Sequence, residues 1–168
     1  YEKSAAQNNV RAKSELALIY IKDLGVKRNY FKAKELLEQA SLEGYPPAQT
    51  YLAEMYITGQ GVNQDINKAK ELYEQAASKD FSLAQYGLGV MYSDGLGVKQ
   101  DYLKAIDWFE KAATHNFGLA QYNLGQMYLN AEGVSKNTNI AKKWFAKACE
   151  NGVKEGCHNY NIMKQQDN

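Results

Sequence analysis

An all-α fold is predicted for this chain of 168 residues: a right-handed α/α superhelical solenoid of about four 36-residue helix-turn-helix repeats, closed by a C-terminal capping helix. Three observations predict it. One nonapeptide recurs every 36 residues, as AKSELALIY, AQTYLAEMY, AQYGLGVMY and AQYNLGQMY from Ala12, Ala48, Ala84 and Ala120. A second segment recurs at the same period, as FKAKELLEQAS, NKAKELYEQAA, LKAIDWFEKAA and NIAKKWFAKAC. The chain has only two prolines, so long helices are permitted. A fixed period of this length is typical of stacked helical repeats.

The repeat register divides the chain into three parts. Residues 1–9 resemble residues 109–116, which predicts that they are the second-helix remnant of a preceding repeat. Residues 10–155 hold the four repeats, and residues 156–168 hold the capping helix and a tail. The repeats are predicted at about 12–47, 48–83, 84–119 and 120–155. We expect further repeats upstream of Tyr1, and a cleaved leader joined to a short capping helix is the competing explanation.

The first helix of each repeat carries apolar residues at helical spacing. In the second repeat, Leu52, Met55 and Tyr56 predict a helix near residues 48–58, which ends at Gly59. The tyrosines at the position of Tyr56 are predicted to belong to the core of their repeats. They are Tyr20, Tyr56, Tyr92 and Tyr128.

The second helix of the same repeat is predicted near residues 66–79, with Asp65 as its N-cap. One position just past each second helix holds a residue that tolerates left-handed backbone. These residues are Gly44, Asp80, Asn116 and Gly152. A helix C-terminus often requires that conformation, so the sequence predicts a tight turn into the next repeat.

Small residues recur at fixed places in both helices. The first helices share Ala17, Ala53, Gly89 and Gly125, and the second helices share Ala33, Ala69, Ala105 and Ala141. Small side chains allow neighbouring helices to approach closely. A single hairpin cannot bury its apolar stripe, so stacking of hairpins is expected to form the core.

The stretch GLGVMYSDGLGVKQD at residues 87–101 contains four glycines but does not predict a nucleotide site. Leu96 follows Gly95, where a phosphate-binding loop would require lysine and then serine or threonine. We interpret the second half of the stretch as the linker between two helices, and no cofactor is expected.

The charge balance argues against nucleic acid or an anionic membrane surface as the main partner, although a locally basic face stays open. Lysine and arginine total 20 and aspartate and glutamate total 19, so the chain lacks the basic excess typical of nucleic-acid or anionic-membrane binding. No apolar run approaches the roughly 20 residues needed to span a bilayer. We therefore expect no nucleic acid and no direct membrane insertion.

The repeated pattern A-x-x-x-L-G-x-x-Y, G-V-x-x-D-x-x-K-A and W-F-x-K-A-A resembles the Sel-one-like repeat, a relative of the tetratricopeptide repeat. The resemblance covers residues 1 to about 165. It implies the superhelical fold and leaves function open, because such repeats are selected for shape rather than for chemistry. The first repeat departs most: Lys27-Arg28-Asn29 replaces the usual acidic cap, and Leu36-Leu37 replaces an aromatic pair.

Two cysteines lie at the last hairpin turn. Cys149 and Cys157 stand in ACENGVKEGC, and their spacing resembles the cysteine-rich branch of the family found in Helicobacter, in which such a pair forms a disulfide. The resemblance implies a disulfide and an oxidising compartment. Two reduced cysteines packed as small apolar residues are the alternative. His158 adjoins Cys157, and no fixed spacing supplies further ligands for a metal.

The family's tetratricopeptide relatives bind partners on the concave face lined by first helices, opposite the packing positions. Helix geometry selects the same positions here. The predicted groove positions are mostly apolar, aromatic or uncharged. They are Ser14, Leu18, Ile21, Thr50, Glu54, Ile57, Tyr86, Val90, Ser93, Tyr122, Gln126, Leu129 and His158. Replacing Tyr86 and Tyr122 by alanine is expected to weaken binding without unfolding the array. Ordinary half-buried packing is the alternative interpretation of these positions.

The sequence therefore predicts a non-enzymatic adaptor or scaffold that binds a protein or peptide partner in this groove. The resemblance suggests the bacterial envelope or host contact as its setting, and a periplasmic, secreted or cell-surface location, with a cytoplasmic location as the alternative. Three other functions stay open: an immunity protein that neutralises a secreted toxin, a structural segment of a longer array, and a penicillin-binding or weak β-lactamase-like activity. A Ser-x-x-Lys motif is absent, which argues against the last. The sequence does not define the oligomeric state.

Overall fold

The computed structural model describes residues 9–166, which fall into two compact units with the boundary in the chain between Ala84 and Gln85. The described residues form nine α-helices of 12 or 13 residues, and all regular structure among them is helical. They are α1 Val10–Lys22, α2 Tyr30–Leu42, α3 Pro46–Thr58, α4 Ile66–Ala77, α5 Ser82–Asp94, α6 Tyr102–Thr114, α7 Gly118–Asn130, α8 Thr138–Glu150 and α9 Lys154–Gln166. Helices α1, α3, α5 and α7 are the first helices of the four repeats, α2, α4, α6 and α8 are the second helices, and α9 follows the fourth repeat. The helix remnant predicted for residues 1–9 lies outside the described residues, apart from Asn9.

The second helices begin at side-chain N-caps. Asp65 Oδ1 accepts a hydrogen bond from the Lys68 backbone N–H at 3.0 Å, as predicted. In the divergent first repeat, Asn29 Oδ1 accepts from the Lys32 N–H at 3.0 Å in the same way. The loss of the acidic residue there does not remove the cap, because an asparagine oxygen satisfies the same free N–H group.

The turns between repeats have the predicted left-handed backbone. The φ angle is +74° at Gly44, +57° at Asp80, +58° at Asn116 and +84° at Gly152. Asparagine and aspartate are the non-glycine residues that tolerate this region best, because their short side chains can hydrogen-bond locally. The chain therefore reverses after each second helix within three or four residues.

Unit 1 is built on the α1–α2 and α3–α4 hairpins. Ala17, Ala33, Ala53 and Ala69 are completely buried in it, together with Leu37. Tyr20 and Tyr56, predicted as core, are less than a tenth exposed. The small residues therefore lie inside the unit, as the repeat pattern predicts.

In unit 2 the first-helix position that holds Ala17 and Ala53 in unit 1 is glycine. An aromatic ring of the following second helix occupies the space that an alanine Cβ would need. A Cβ on Gly89 would lie 2.5 Å from the ring of Phe109, and a Cβ on Gly125 would lie 2.6 Å from the ring of Phe145. Both rings are almost completely buried, with exposed fractions of 1% and 0%. Glycine in α5 and α7 thus permits a larger side chain in α6 and α8.

Candidate functional site

The predicted groove positions do not all reach the surface. Ser14 is 2% exposed and Thr50 is 0% exposed, so neither can contact a partner. The Thr50 hydroxyl donates to the Pro46 carbonyl at 2.9 Å, and this bond within α3 allows a polar residue to be buried. The assignment of these two residues to the groove was wrong, because helical spacing alone does not show which small polar side chains are covered.

The remaining groove positions keep some exposed surface. In unit 1, Leu18, Ile21 and Ile57 are half-buried and Glu54 is exposed. In unit 2, six positions are half-buried and His158 is exposed. The six are Tyr86, Val90, Ser93, Tyr122, Gln126 and Leu129. These side chains form the first-helix face of each unit, defined as the groove positions other than Ser14 and Thr50.

Tyr86 and Tyr122 belong to the core as much as to the first-helix face. The Tyr86 ring centroid lies 5.7 Å from that of Phe109 and 5.2 Å from that of Phe117. The Tyr122 ring lies 5.6 Å from that of Phe145. Burial raises the pKa of the Tyr86 hydroxyl, and a hydrogen bond with Asn123 opposes that shift. Alanine at either position would remove this ring packing, so the expectation that the double alanine variant stays stable does not fit these contacts.

The α7 helix presents the least charged surface of the described helices. Its thirteen residues, GLAQYNLGQMYLN, contain no ionisable acid or base other than tyrosine. Gln126 Nε2 donates to the Tyr122 hydroxyl at 3.2 Å, which orders the two side chains on one face. The neighbouring α6 helix, by contrast, exposes Lys104, Asp107, Glu110 and Lys111. The α7 helix therefore presents an uncharged face beside a highly charged second helix.

Unit 1 carries one charged group on its first-helix face. Glu54 is exposed overall, but its surroundings reduce the hydration of its carboxylate and raise the pKa of that group above its usual value, while the nearby Lys22 ammonium lowers it. The pKa of Tyr51 is also raised, first by burial and then by the Glu54 charge. A carboxylate in this environment is easier to protonate than an isolated one.

Replacing Glu54 by glutamine is expected to stabilise the protein at pH 7. The raised pKa means that the folded state disfavours the charged carboxylate. The destabilising effect of Glu54 therefore grows as the pH rises from the unfolded-state pKa through the folded-state pKa. Below the unfolded-state pKa the carboxyl is neutral in both states and the variant should match the wild type. Thermal unfolding at pH 3.5 and pH 7 would test this, with Lys22→Gln as the matched control, which should raise the Glu54 pKa in an NMR titration. Equal melting temperatures of the wild type and Glu54→Gln at pH 7 would contradict the assignment.

Residues 9–166 give little support for a metal site or a membrane span. No group of three histidine, cysteine, aspartate or glutamate residues in this range is arranged to hold a metal ion. None of the nine helices is both long and apolar enough to cross a bilayer. His115 and His158 are both exposed and lie in different elements, the turn after α6 and the α9 helix.

The two cysteines form a disulfide between α8 and α9. Cys149 is the penultimate residue of α8, Cys157 lies in the first turn of α9, and their Cα atoms are 4.4 Å apart. Gly156 permits this approach, because a Cβ there would lie 2.8 Å from the Ala148 Cβ. The predicted disulfide is therefore present, and neither cysteine has a free thiol.

Comparison with known proteins identifies the repeat. The Sel1 repeat family model matches residues 10–45, 46–81, 82–117 and 118–153, and each match begins two residues before the corresponding predicted repeat. No curated protein matches the chain at a significant level.

Solved structures give the same result. The protective antigen c5321, present in uropathogenic Escherichia coli strains, displays an SLR fold and is 31% identical to this chain. The alignment covers 99% of this chain and 36% of the antigen, with a TM-score of 0.88. A Sel1 repeat protein from Oxalobacter formigenes is 30% identical over 90% of this chain and 62% of its own length, with a TM-score of 0.85. The Helicobacter pylori cysteine rich protein B is 28% identical over 74% of this chain and 95% of its own length, with a TM-score of 0.60. The chain thus spans less than two thirds of the first two proteins.

Proposed function

The chain belongs to the Sel1 repeat family, a family of protein-interaction scaffolds, and from this premise we propose that it binds a protein or peptide partner on the first-helix face and catalyses no reaction. The predicted fold class, an all-α solenoid of helix-turn-helix repeats, is confirmed by the four family matches and by the similar structures. The family match does not show where the partner binds or what it is, so these two points depend on this chain's own residues.

The observation that carries the proposal is the uncharged surface of α7. Tyr122, Gln126 and Leu129 keep exposed surface on a helix without charged side chains. The cores of protein interfaces are depleted of charged residues and enriched in tyrosine, whereas a solvated helix face is usually rich in lysine and glutamate. The same helix also satisfies the Tyr122 hydroxyl through Gln126, so the face is ordered before a partner arrives.

A charge placed on this face should weaken binding without disturbing the fold. Gln126→Arg is expected to weaken partner binding at least tenfold, because the added guanidinium would be buried unpaired in the interface. Thr114→Arg adds the same charge to the exposed end of α6 and should leave binding unchanged. Immobilised wild type and both variants would be compared by quantitative affinity capture from envelope extracts, after circular dichroism shows that all three are folded. A partner retained equally by Gln126→Arg would contradict the proposal.

An envelope or extracellular location is part of the proposal. The Cys149–Cys157 disulfide supports it, because disulfides persist mainly in oxidising compartments. The similar Escherichia coli protein is a protective antigen, which also fits a protein outside the cytoplasm. The immunity-protein and structural-segment functions remain alternatives that no feature of residues 9–166 favours, and a nitrocefin assay would test the β-lactamase alternative.

A further inference from the structure

The chain contains one Asn-Gly pair, and it lies in the turn between α8 and α9. The pair is Asn151-Gly152, and both residues are exposed. Asparagine is a thermolabile residue, and a following glycine makes it more labile because no side chain hinders the glycine nitrogen. The same turn is closed by the disulfide between Cys149 and Cys157. Two features that each occur once in the sequence therefore coincide in one turn.

The reaction open to this pair is deamidation. The Gly152 backbone nitrogen loses its proton and attacks Cγ of the Asn151 side chain, and the side-chain nitrogen leaves as ammonia. The resulting five-membered succinimide is opened by one water molecule to aspartate or isoaspartate. One water is consumed, one ammonia is released, and a neutral amide becomes a carboxylate.

The closed turn keeps the reacting atoms apart. The φ and ψ angles of Asn151 are −92° and 20°, and at this ψ the Gly152 nitrogen is turned away from the carbon that it would attack. The Gly152 N–H also donates to the Cys149 carbonyl at 3.0 Å. Ring closure requires rotation about the Asn151 Cα–C bond and loss of this hydrogen bond. The turn must therefore open before Asn151 can react.

The disulfide spans the segment that has to open. The Cα atoms of Cys149 and Cys157 are 4.4 Å apart, and Asn151 and Gly152 lie in the loop between them. A bridge across a short loop removes many of the open conformations of that loop. The disulfide therefore shifts the local opening equilibrium toward the closed turn.

We propose that Asn151 is a deamidation site, which the Cys149–Cys157 disulfide keeps closed and a thiol reductant opens. A dithiol reduces the bridge: the dithiol is oxidised to its own disulfide, and the two cysteines become thiols. The freed turn then reaches the open conformations in which Gly152 can attack. This site is independent of the first-helix face and of the partner proposed for it.

Deamidation breaks a buried contact between α7 and the end of α8. Gln121 is 1% exposed, and its Oε1 accepts a hydrogen bond from Asn151 Nδ2 at 2.9 Å. Gln121 Nε2 faces the Ala113 carbonyl at 3.4 Å, so the amide cannot turn over without placing two acceptors together. An aspartate at position 151 presents only acceptor oxygens, which leaves Gln121 Oε1 without its donor and destabilises the contact.

Timed incubation of the full chain with and without dithiothreitol tests the site. Trypsin releases residues 148–154 as one peptide, and mass spectrometry measures its deamidated fraction. Deamidation is expected to be at least about tenfold faster in the reduced protein, because the rate follows the population of the open turn. Cys149→Ala/Cys157→Gln should react at the reduced rate with or without dithiothreitol. Asn116, in the turn between α6 and α7, is the internal control and should react equally slowly under both conditions.

Circular dichroism of the same samples separates opening of this turn from unfolding of the whole chain. Four results would each overturn the proposal: equal rates at Asn151 in the oxidised and reduced protein, no deamidation in either, a matching rise at Asn116, or loss of helix on reduction.

A variant that copies the product tests the role of Gln121. Asn151→Asp in the oxidised protein should lower the melting temperature. In a Gln121→Leu background the fall should be at most about half as large, because only the unfavourable carboxylate at the C-terminus of α8 remains. An equal fall in both backgrounds would overturn the role of Gln121.

Discussion

Replacing Gly125 by alanine is expected to lower the free energy of unfolding by up to about 2 kcal/mol, although alanine is the better helix former by about 1 kcal/mol. The new Cβ would lie 2.6 Å from Phe145 Cε1 and 2.7 Å from Cδ1. Phe145 is completely buried, so its ring cannot move into solvent. Overpacking of this kind costs roughly 1–3 kcal/mol before the gain in helix propensity is counted. Urea denaturation would measure the change.

A compensating substitution should reverse this effect. The first repeat has Ala17 and Leu37 where the fourth has Gly125 and Phe145, and both residues of the first pair are 0% exposed. Gly125→Ala/Phe145→Leu should therefore be more stable than the sum of the two single changes by at least about 1 kcal/mol, within the range seen for contacting residues. Additive effects of the two changes would show that Gly125 is not required by the Phe145 ring.

Removing the disulfide is expected to destabilise the protein by about 2–3 kcal/mol. Cys149 and Cys157 are 8 residues apart in sequence, and the chain-entropy relation gives this magnitude for so short a loop. The suitable variant is Cys149→Ala/Cys157→Gln, because the turn between the third and fourth repeats has Ala113 and Gln121 at the equivalent positions. Its melting temperature should not respond to dithiothreitol, whereas that of the wild type should fall to about the same value. A wild type that is equally stable when oxidised and reduced would contradict a stabilising role.

The features predicted correctly from sequence are those that a single residue decides locally. Asp65 caps a helix because its own side chain reaches the free N–H group of Lys68. Gly44, Asp80, Asn116 and Gly152 turn the chain because few residue types tolerate positive φ. The repeat register supplies the rest of the helix order, since each hairpin copies its neighbour.

The features missed depend on contacts between elements. Helical spacing places Thr50 and Tyr122 among the groove positions, but it does not show that Thr50 is covered or that Tyr122 packs on Phe145. The burial of Gln49 is also invisible in a single helix, because its amide nitrogen donates to Gln75 Oε1 in the second helix of the repeat. A comparison of positions 30 residues apart would have signalled two other contacts between helices, because Lys13 faces Glu43 and Gln121 faces Asn151.

The most direct test of the central claim, that the first-helix face binds the partner, is site-specific photo-crosslinking in the native cell. A benzophenone amino acid would be placed at Gln126 on α7, at Ser93 on α5, and at Thr114 at the exposed end of α6. We predict a crosslinked protein adduct of one discrete mass from positions 126 and 93 and none from position 114. An adduct from position 114 alone, or no adduct from either first-helix position, would contradict the account.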